Sequence, residues 1–306
     1  MSSLTAARMS YAAALVAAVT YGLYLAIALY AFFRVLLTPR RRGSGKSILL
    51  TWITVTFVVQ TIYFVAGSKW SEIEFVESAE DPSVFAGQLS SRLAVLKDTC
   101  YTVIIWLADA FILYRAAAIY SDRVYVVALP ALLYLGSLAS GIGLLVETAK
   151  PGAAFGQTPV LDFGTPFWSL SVSMNVLTSL LIAARLIYRR QLVFRSDNRH
   201  RRYGPYSAEV AIFLESAALY AICAIIYIPM FAKNIPLQFP FSALLGSAAS
   251  IAPHLIIVRM ATGESYEMEA SLMSLQERTR QPEGGEDGRS VTSHPDNGAD
   301  SVDAKL

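Results

Sequence analysis

Four polar side chains stand inside long apolar runs of this sequence: Asp109, Asn175, Glu215 and His254. An ionisable group in hydrocarbon is costly unless it is paired or wetted, so each is a candidate for function. Two carboxylates and an imidazole can take up and release protons, guide a polar headgroup, or close a charge-paired cluster between helices. At the helical rise, Glu215 lies roughly 13 Å from the inner end of its run, His254 roughly 8 Å from Arg259, and Asp109 about 8 to 16 Å from its own inner end. That spacing predicts one shared layer. Arg115 and Arg185 are the nearby cations, but Asp109 and Arg115 fall about 120° apart around one helix, so each needs a partner from another helix. A structural role stands beside each functional one. Ser, Thr and Tyr hydroxyls can satisfy the carboxyls, Arg115 and Arg185 can snorkel to headgroups, and Asn175 suits an interhelical hydrogen bond.

The elements that must position these groups are membrane spans. The chain has 306 residues, of which 55% are hydrophobic and only 16% charged. That balance is too apolar for a soluble domain. The apolar residues cluster in runs of about 20, the length needed to cross hydrocarbon. Seven runs are expected, over residues 11–37, 48–66, 94–119, 124–146, 167–188, 206–231 and 239–260. The predicted fold class is all-α: a polytopic bundle of seven transmembrane helices over 11–260. A short extracellular N-terminus, 1–10, precedes it and a disordered cytoplasmic tail, 261–306, follows. The stretch from Glu72 to Arg92 is the longest expected loop, and the Pro- and Gly-rich stretch 151–166 is expected to form turns. Pro229 and Pro253 lie within spans, where neighbouring helices can satisfy the backbone groups they free.

Orientation follows from loop charge. The loop after the first run holds four Lys and Arg residues (Arg40, Arg41, Arg42, Lys46), and the loop after the fifth holds six (Arg189, Arg190, Arg195, Arg199, Arg201, Arg202). Positive loops stay in the cytoplasm, which predicts an outside N-terminus and an inside C-terminus. Trp70 and Trp168, near outer ends, fit an interfacial aromatic belt. Arg115 with Arg189, Arg190, Arg201 and Arg202 forms the expected inner face for coupling to a cytoplasmic partner or anionic headgroups.

Other chemistries find little footing. The last run has no lysine for a retinal Schiff base. Of three histidines only His254 lies in a run, too few ligands for a zinc hydrolase. Gly43, Gly45 and Lys46 lack the strand and helix context of a phosphate-binding loop. No catalytic residue, metal or cofactor is therefore expected, and a net charge of +2 argues for no nucleic-acid partner. Cys100 and Cys223 lie in or beside apolar runs, which speaks against a disulfide-stapled ectodomain. Gly136, Ser140, Gly141 and Gly143 in the fourth run, and Gly246 to Ser250 in the seventh, are expected to let helices pack closely.

Three segments carry a resemblance: Trp106-Leu107-Ala108-Asp109-Ala110-Phe111 on to Tyr114-Arg115, Glu215-Ser216-Ala217-Ala218-Leu219-Tyr220, and Ile251-Ala252-Pro253-His254-Leu255-Ile256-Ile257 on to Arg259. Over spans three to seven the chain resembles a family of uncharacterised seven-span membrane proteins of mushroom-forming fungi, a resemblance that implies no established activity. The layout is also similar to that of G-protein-coupled receptors, with Tyr114 and Arg115 at the inner end of span three. The acid usual beside that arginine is absent, and the loop after span four has no cysteine to pair with Cys100. The reading expected first is a non-enzymatic, receptor-like sensor of a small lipophilic ligand in the plasma membrane, with the bilayer and a cytoplasmic signalling protein as partners. A carrier or lipid-handling protein using Asp109 and Glu215, and a ligand-free membrane scaffold, are the alternatives.

Overall fold

A computed structural model of the chain describes residues 3–37, 44–77, 91–151, 158–196 and 220–280, with backbone alone at 3, 4, 6, 44 and 186 and over 189–196 and 263–280. Among the described residues the molecule is all-α. Seven α-helices lie in the described residues: α1 Ser3–Leu37, α2 Ser44–Glu72, α3 Arg92–Ile119, α4 Ala128–Thr148, α5 Thr158–Ser196, α6 Tyr220–Ala232 and α7 Gln238–Arg280. Six apolar stretches, all but the one in α6, are long enough to cross a membrane, and α6 contributes a shorter apolar helix from Tyr220 onward. Large apolar side chains point outward from the bundle, as with Val19 at 75% exposure and Leu132 at 65%. A lipid bilayer is the environment that accepts such a surface.

Local sequence explains the helix limits. Ser91 caps α3, its Oγ accepting from the Ala94 amide at 3.3 Å. The α3–α4 link is tight: the Tyr120 amide closes on the Ala116 carbonyl at 2.9 Å, and a single 3₁₀ turn, Val124–Val127, leads into α4. Between α6 and α7 the chain turns at Asn234, whose φ of 49° is the left-handed conformation that Asn tolerates best after Gly. Its Oδ1 also accepts from Gln238 Nε2 at 3.0 Å, at the start of α7.

Three boundaries depart from the sequence reading. Span two was expected to end at Ala66, but α2 runs to Glu72 and finishes in a π-helical turn, Ile73–Glu77. Packing explains the extension: Trp70 and Ile73 are buried, and Phe75 meets the edge of Tyr11 at 5.6 Å. The expected turns before span five are instead helical from Thr158, with Pro159 in the first turn where its missing N–H is not needed. In place of the tail expected from residue 261, the helical run continues to Arg280; residues 281–306 lie outside the described set. Met1–Ser265 forms one compact unit and Tyr266–Leu306 another.

Consecutive helices within the first unit run antiparallel, and hydrogen bonds tie them across the bundle. Tyr21 and Thr61 join α1 to α2 at 3.0 Å, Thr20 and Ser247 join α1 to α7 at 2.7 Å, and Gln60 and Ser250 join α2 to α7 at 2.9 Å. The expected role of small residues in close packing is visible at two glycines. A Cβ on Gly141 of α4 would lie 2.7 Å from the Trp106 ring and 3.1 Å from Phe167, so α3, α4 and α5 meet there only because no side chain intervenes. A Cβ on Gly246 of α7 would run into the ring of Tyr101 on α3.

Candidate functional site

Near the end of the bundle where α1 begins, the seven helices surround a cavity of about 620 Å³. Each supplies the part of its length at that end: Ser10 to Ala18 of α1, Tyr63 to Trp70 of α2 with Glu74 beyond it, and Lys97 to Thr102 of α3. The end of α4, the start of α5, the end of α6 and the start of α7 complete the wall. The volume is that of an ordinary small-molecule site. An aromatic chain crosses it, with ring centroids 5.4 Å apart for Tyr63 and Tyr101, 5.6 Å for Tyr101 and Trp168, 5.0 Å for Trp168 and Tyr227, and 5.7 Å for Tyr227 and Phe231. The Tyr101 hydroxyl donates to the Ser242 carbonyl at 2.6 Å, which fixes the ring between α3 and α7.

Charge enters this wall at three places. Glu74, in the π-helical turn, accepts from the Ser10 hydroxyl at 2.6 Å. Lys97 lies 3.5 Å from the carboxylate of Asp98 and 4.9 Å above the centroid of Trp70. These residues were not among the sequence candidates, because each sits where an apolar run starts or ends and looks like ordinary loop polarity. One signal was available: Lys97 and Asp98 fall one to two turns inside the cap at Ser91, too deep for a helix end. Trp70 and Trp168, assigned from sequence to an interfacial belt, turn inward instead; Trp168 is 3% exposed and lines the cavity.

Beyond the aromatic chain lies a polar layer built on Asp109. Its carboxyl is 1% exposed and accepts from the Ser171 hydroxyl of α5 at 2.6 Å. Ser171 lies 3.2 Å from the hydroxyl of Tyr220 on α6. Beside them is a void of about 20 Å³, lined by Asp109, Asn175, Ser179, Tyr220, Ala249 and Pro253 among others. That is room for one water molecule. Asn175 Oδ1 and Ser179 Oγ are buried here without a protein hydrogen-bond partner among the described residues. Pro253 has no amide proton to offer the Ala249 carbonyl one turn earlier. The small void has a mostly apolar lining with the polar side chains of Asp109, Asn175, Ser179 and Tyr220 set in it.

His254 does not share that layer. Although Pro253 faces the void, the imidazole is wholly buried between the Tyr24 ring at 5.1 Å and the Trp52 ring at 5.0 Å, on the side of α7 that meets α1 and α2. Its Nδ1 lies 2.7 Å from the Ser250 carbonyl, which only accepts, so Nδ1 carries a proton; Nε2 is 3.4 Å from Thr56 Oγ1. Arg185, a proposed partner for Asp109, instead pairs with Asp122 and packs over Tyr120 with its guanidinium carbon 5.4 Å from the ring. Asp109 and Asn175 are thus brought together, while His254 and Arg185 lie in separate clusters. Arg115 is half-buried in the last turns of α3, and Arg189 and Arg190 belong to the last turns of α5. Glu215, Arg201 and Arg202 lie outside the described residues.

No protein-family model, no curated protein and no solved structure matches this chain.

Proposed function

We propose that the protein is a receptor-like sensor: a seven-span integral membrane protein with its N-terminus outside, which binds a small ligand in the large cavity and signals to a cytoplasmic partner. The observation that carries this reading is a shared set of helices. Thr102, Trp168 and Tyr227 line the cavity, and the same helices α3, α5 and α6 carry Asp109, Ser171 and Tyr220 one to two turns further along. A ligand that displaces Trp168 or Tyr227 therefore acts on the helices that hold the buried hydrogen-bonded layer. Packed interiors rearrange between discrete states rather than bending smoothly. The loop charges support the orientation, and the resemblance to fungal seven-span proteins supports the count. On this reading Arg115, Arg189, Arg190, Arg201 and Arg202 face the cytoplasm and form the coupling surface, and the plasma membrane is the site of action.

The test is partner capture from native membranes by cross-linking, using full-length protein and a variant with Arg189, Arg190, Arg201 and Arg202 changed to Gln. A sensor recovers a cytoplasmic partner that the variant loses. Equal recovery by both chains would sink the proposal. A carrier would instead show proton-coupled flux in proteoliposomes that Asp109→Asn abolishes, and the sensor reading expects no such flux.

A further inference from the structure

The chemistry of the cavity wall specifies its ligand more closely than size does. We infer that the large cavity takes a small organic cation, an ammonium group on an apolar or aromatic body. This inference rests on the sensor reading's claim that the cavity is a ligand site.

The argument begins with charge. Among the described residues, the ionisable groups of the wall other than tyrosines are Glu74, Asp98 and Lys97, two carboxylates against one ammonium. Lys97 is already committed, to Asp98 at 3.5 Å and to the face of Trp70 at 4.9 Å. Glu74 accepts from the Ser10 hydroxyl, a neutral donor, and shares the field of the single Lys97 ammonium with Asp98. A net negative wall in a site of low polarity favours a cationic guest over an anionic one.

The rest of the wall suits the body of such a guest. Aromatic faces attract cations through the ring quadrupole, more strongly where water is excluded. Tyr63, Tyr101, Trp168 and Tyr227 form a continuous series of rings in the cavity. Because the Tyr101 proton is spent on Ser242, its oxygen has only acceptor capacity left. Lys97 over Trp70 shows the same chemistry in miniature: an ammonium held by an indole face and a carboxylate. A guest with an ammonium head would place it by Glu74 and lay its body along the rings.

Full-length protein in lipid nanodiscs, read by quenching of its tryptophan fluorescence, tests this with three probes of one body: phenylbutylammonium, phenylbutanol and phenylbutyrate. Empty nanodiscs correct for partition into lipid. The ammonium should bind about tenfold more tightly than the alcohol, and the carboxylate most weakly. Glu74→Gln, which keeps a partner for Ser10, should bring the ammonium down to the affinity of the alcohol. Lys97→Met should tighten ammonium binding, because Asp98 is released; an anion site would respond in the opposite direction, so this variant decides the sign even if Glu74→Gln fails to fold. Binding of the alcohol or the carboxylate as tight as that of the ammonium would overturn the cationic assignment and leave the cavity a ligand site. Saturable binding of none of the three would overturn both.

Discussion

Among the described residues, Asp109 is held by one hydroxyl, and that hydroxyl touches one more. Replacing Ser171 with Ala leaves the carboxyl without its donor and Tyr220 without its neighbour, in a site closed to bulk water. Leaving buried polar groups unsatisfied costs about 1–3 kcal/mol, so thermal unfolding of Ser171→Ala in detergent should show a clear loss. Tyr220→Phe removes the weaker contact and should cost less, about 0.5–1.5 kcal/mol. The double variant should fall short of the sum, since both act on one network. A loss for Ser171→Ala no larger than that for Tyr220→Phe would mean the layer is not organised around the carboxyl. Asp109 and Asn175 were legible from sequence, because a polar residue amid apolar ones declares itself by type. Their partners were not: whether Asp109 meets Ser171 or His254 depends on how each helix is rotated about its axis, and periodicity does not set rotation when the outward face is as apolar as the inward one. His254 shows the cost of that ambiguity, since it directly follows Pro253 at the void yet its ring packs against Tyr24 and Trp52 instead.

Among the elements, α7 and α3 meet through the contact of Gly246 with Tyr101, and the cavity wall depends on it. Gly246→Ala must push the Tyr101 ring away, because the neighbour is a rigid ring rather than a flexible chain end. It should weaken the Tyr101–Ser242 bond and reduce probe binding in the nanodisc assay several-fold, with folding retained. Gly141→Val should act on stability instead, lowering the unfolding temperature while binding by the chain that remains folded stays unchanged, since Gly141 packs on Trp106 and Phe167 outside the cavity wall. If the two glycine variants gave the same pattern, the division between cavity and packing contacts would be wrong. Six of the expected spans were readable as long apolar helices, and of the run expected over 206–231 the helix from Tyr220 lies in the described residues; helix ends were not readable. The continuation of α2 into the Ile73–Glu77 turn comes from contacts with Tyr11 and Ser10 of α1, far away in sequence. Such π-helical turns often accompany functional positions, and here the turn carries Glu74 into the wall.

At the scale of the whole molecule, the proposed orientation predicts where sugar can be added. The sequence has no Asn-x-Ser/Thr acceptor, so any glycosylation reports an engineered site. An acceptor inserted between Glu77 and Ser91 should be modified in cells and one appended after Leu306 should not; the reverse pattern would invert the bundle and place the cavity on the cytoplasmic side. The apolar exterior and the charge-rich loops were plain in composition. The large cavity was not, because it is a property of seven helix ends together and no local pattern encodes it.

Pro253 carries a further consequence, for how the last helix opens. With no amide at that position the Ala249 carbonyl loses its usual donor, and the backbone ladder of α7 has a gap where the void lies on one flank and the His254 cluster on the other. Breaking a helix at a missing rung is easier than breaking it elsewhere, so amide hydrogens before and after Pro253 should exchange with solvent deuterium as two cooperative blocks with different protection. Ligand held by Ser242 and Ala243 at the start of α7 should then slow the first block first.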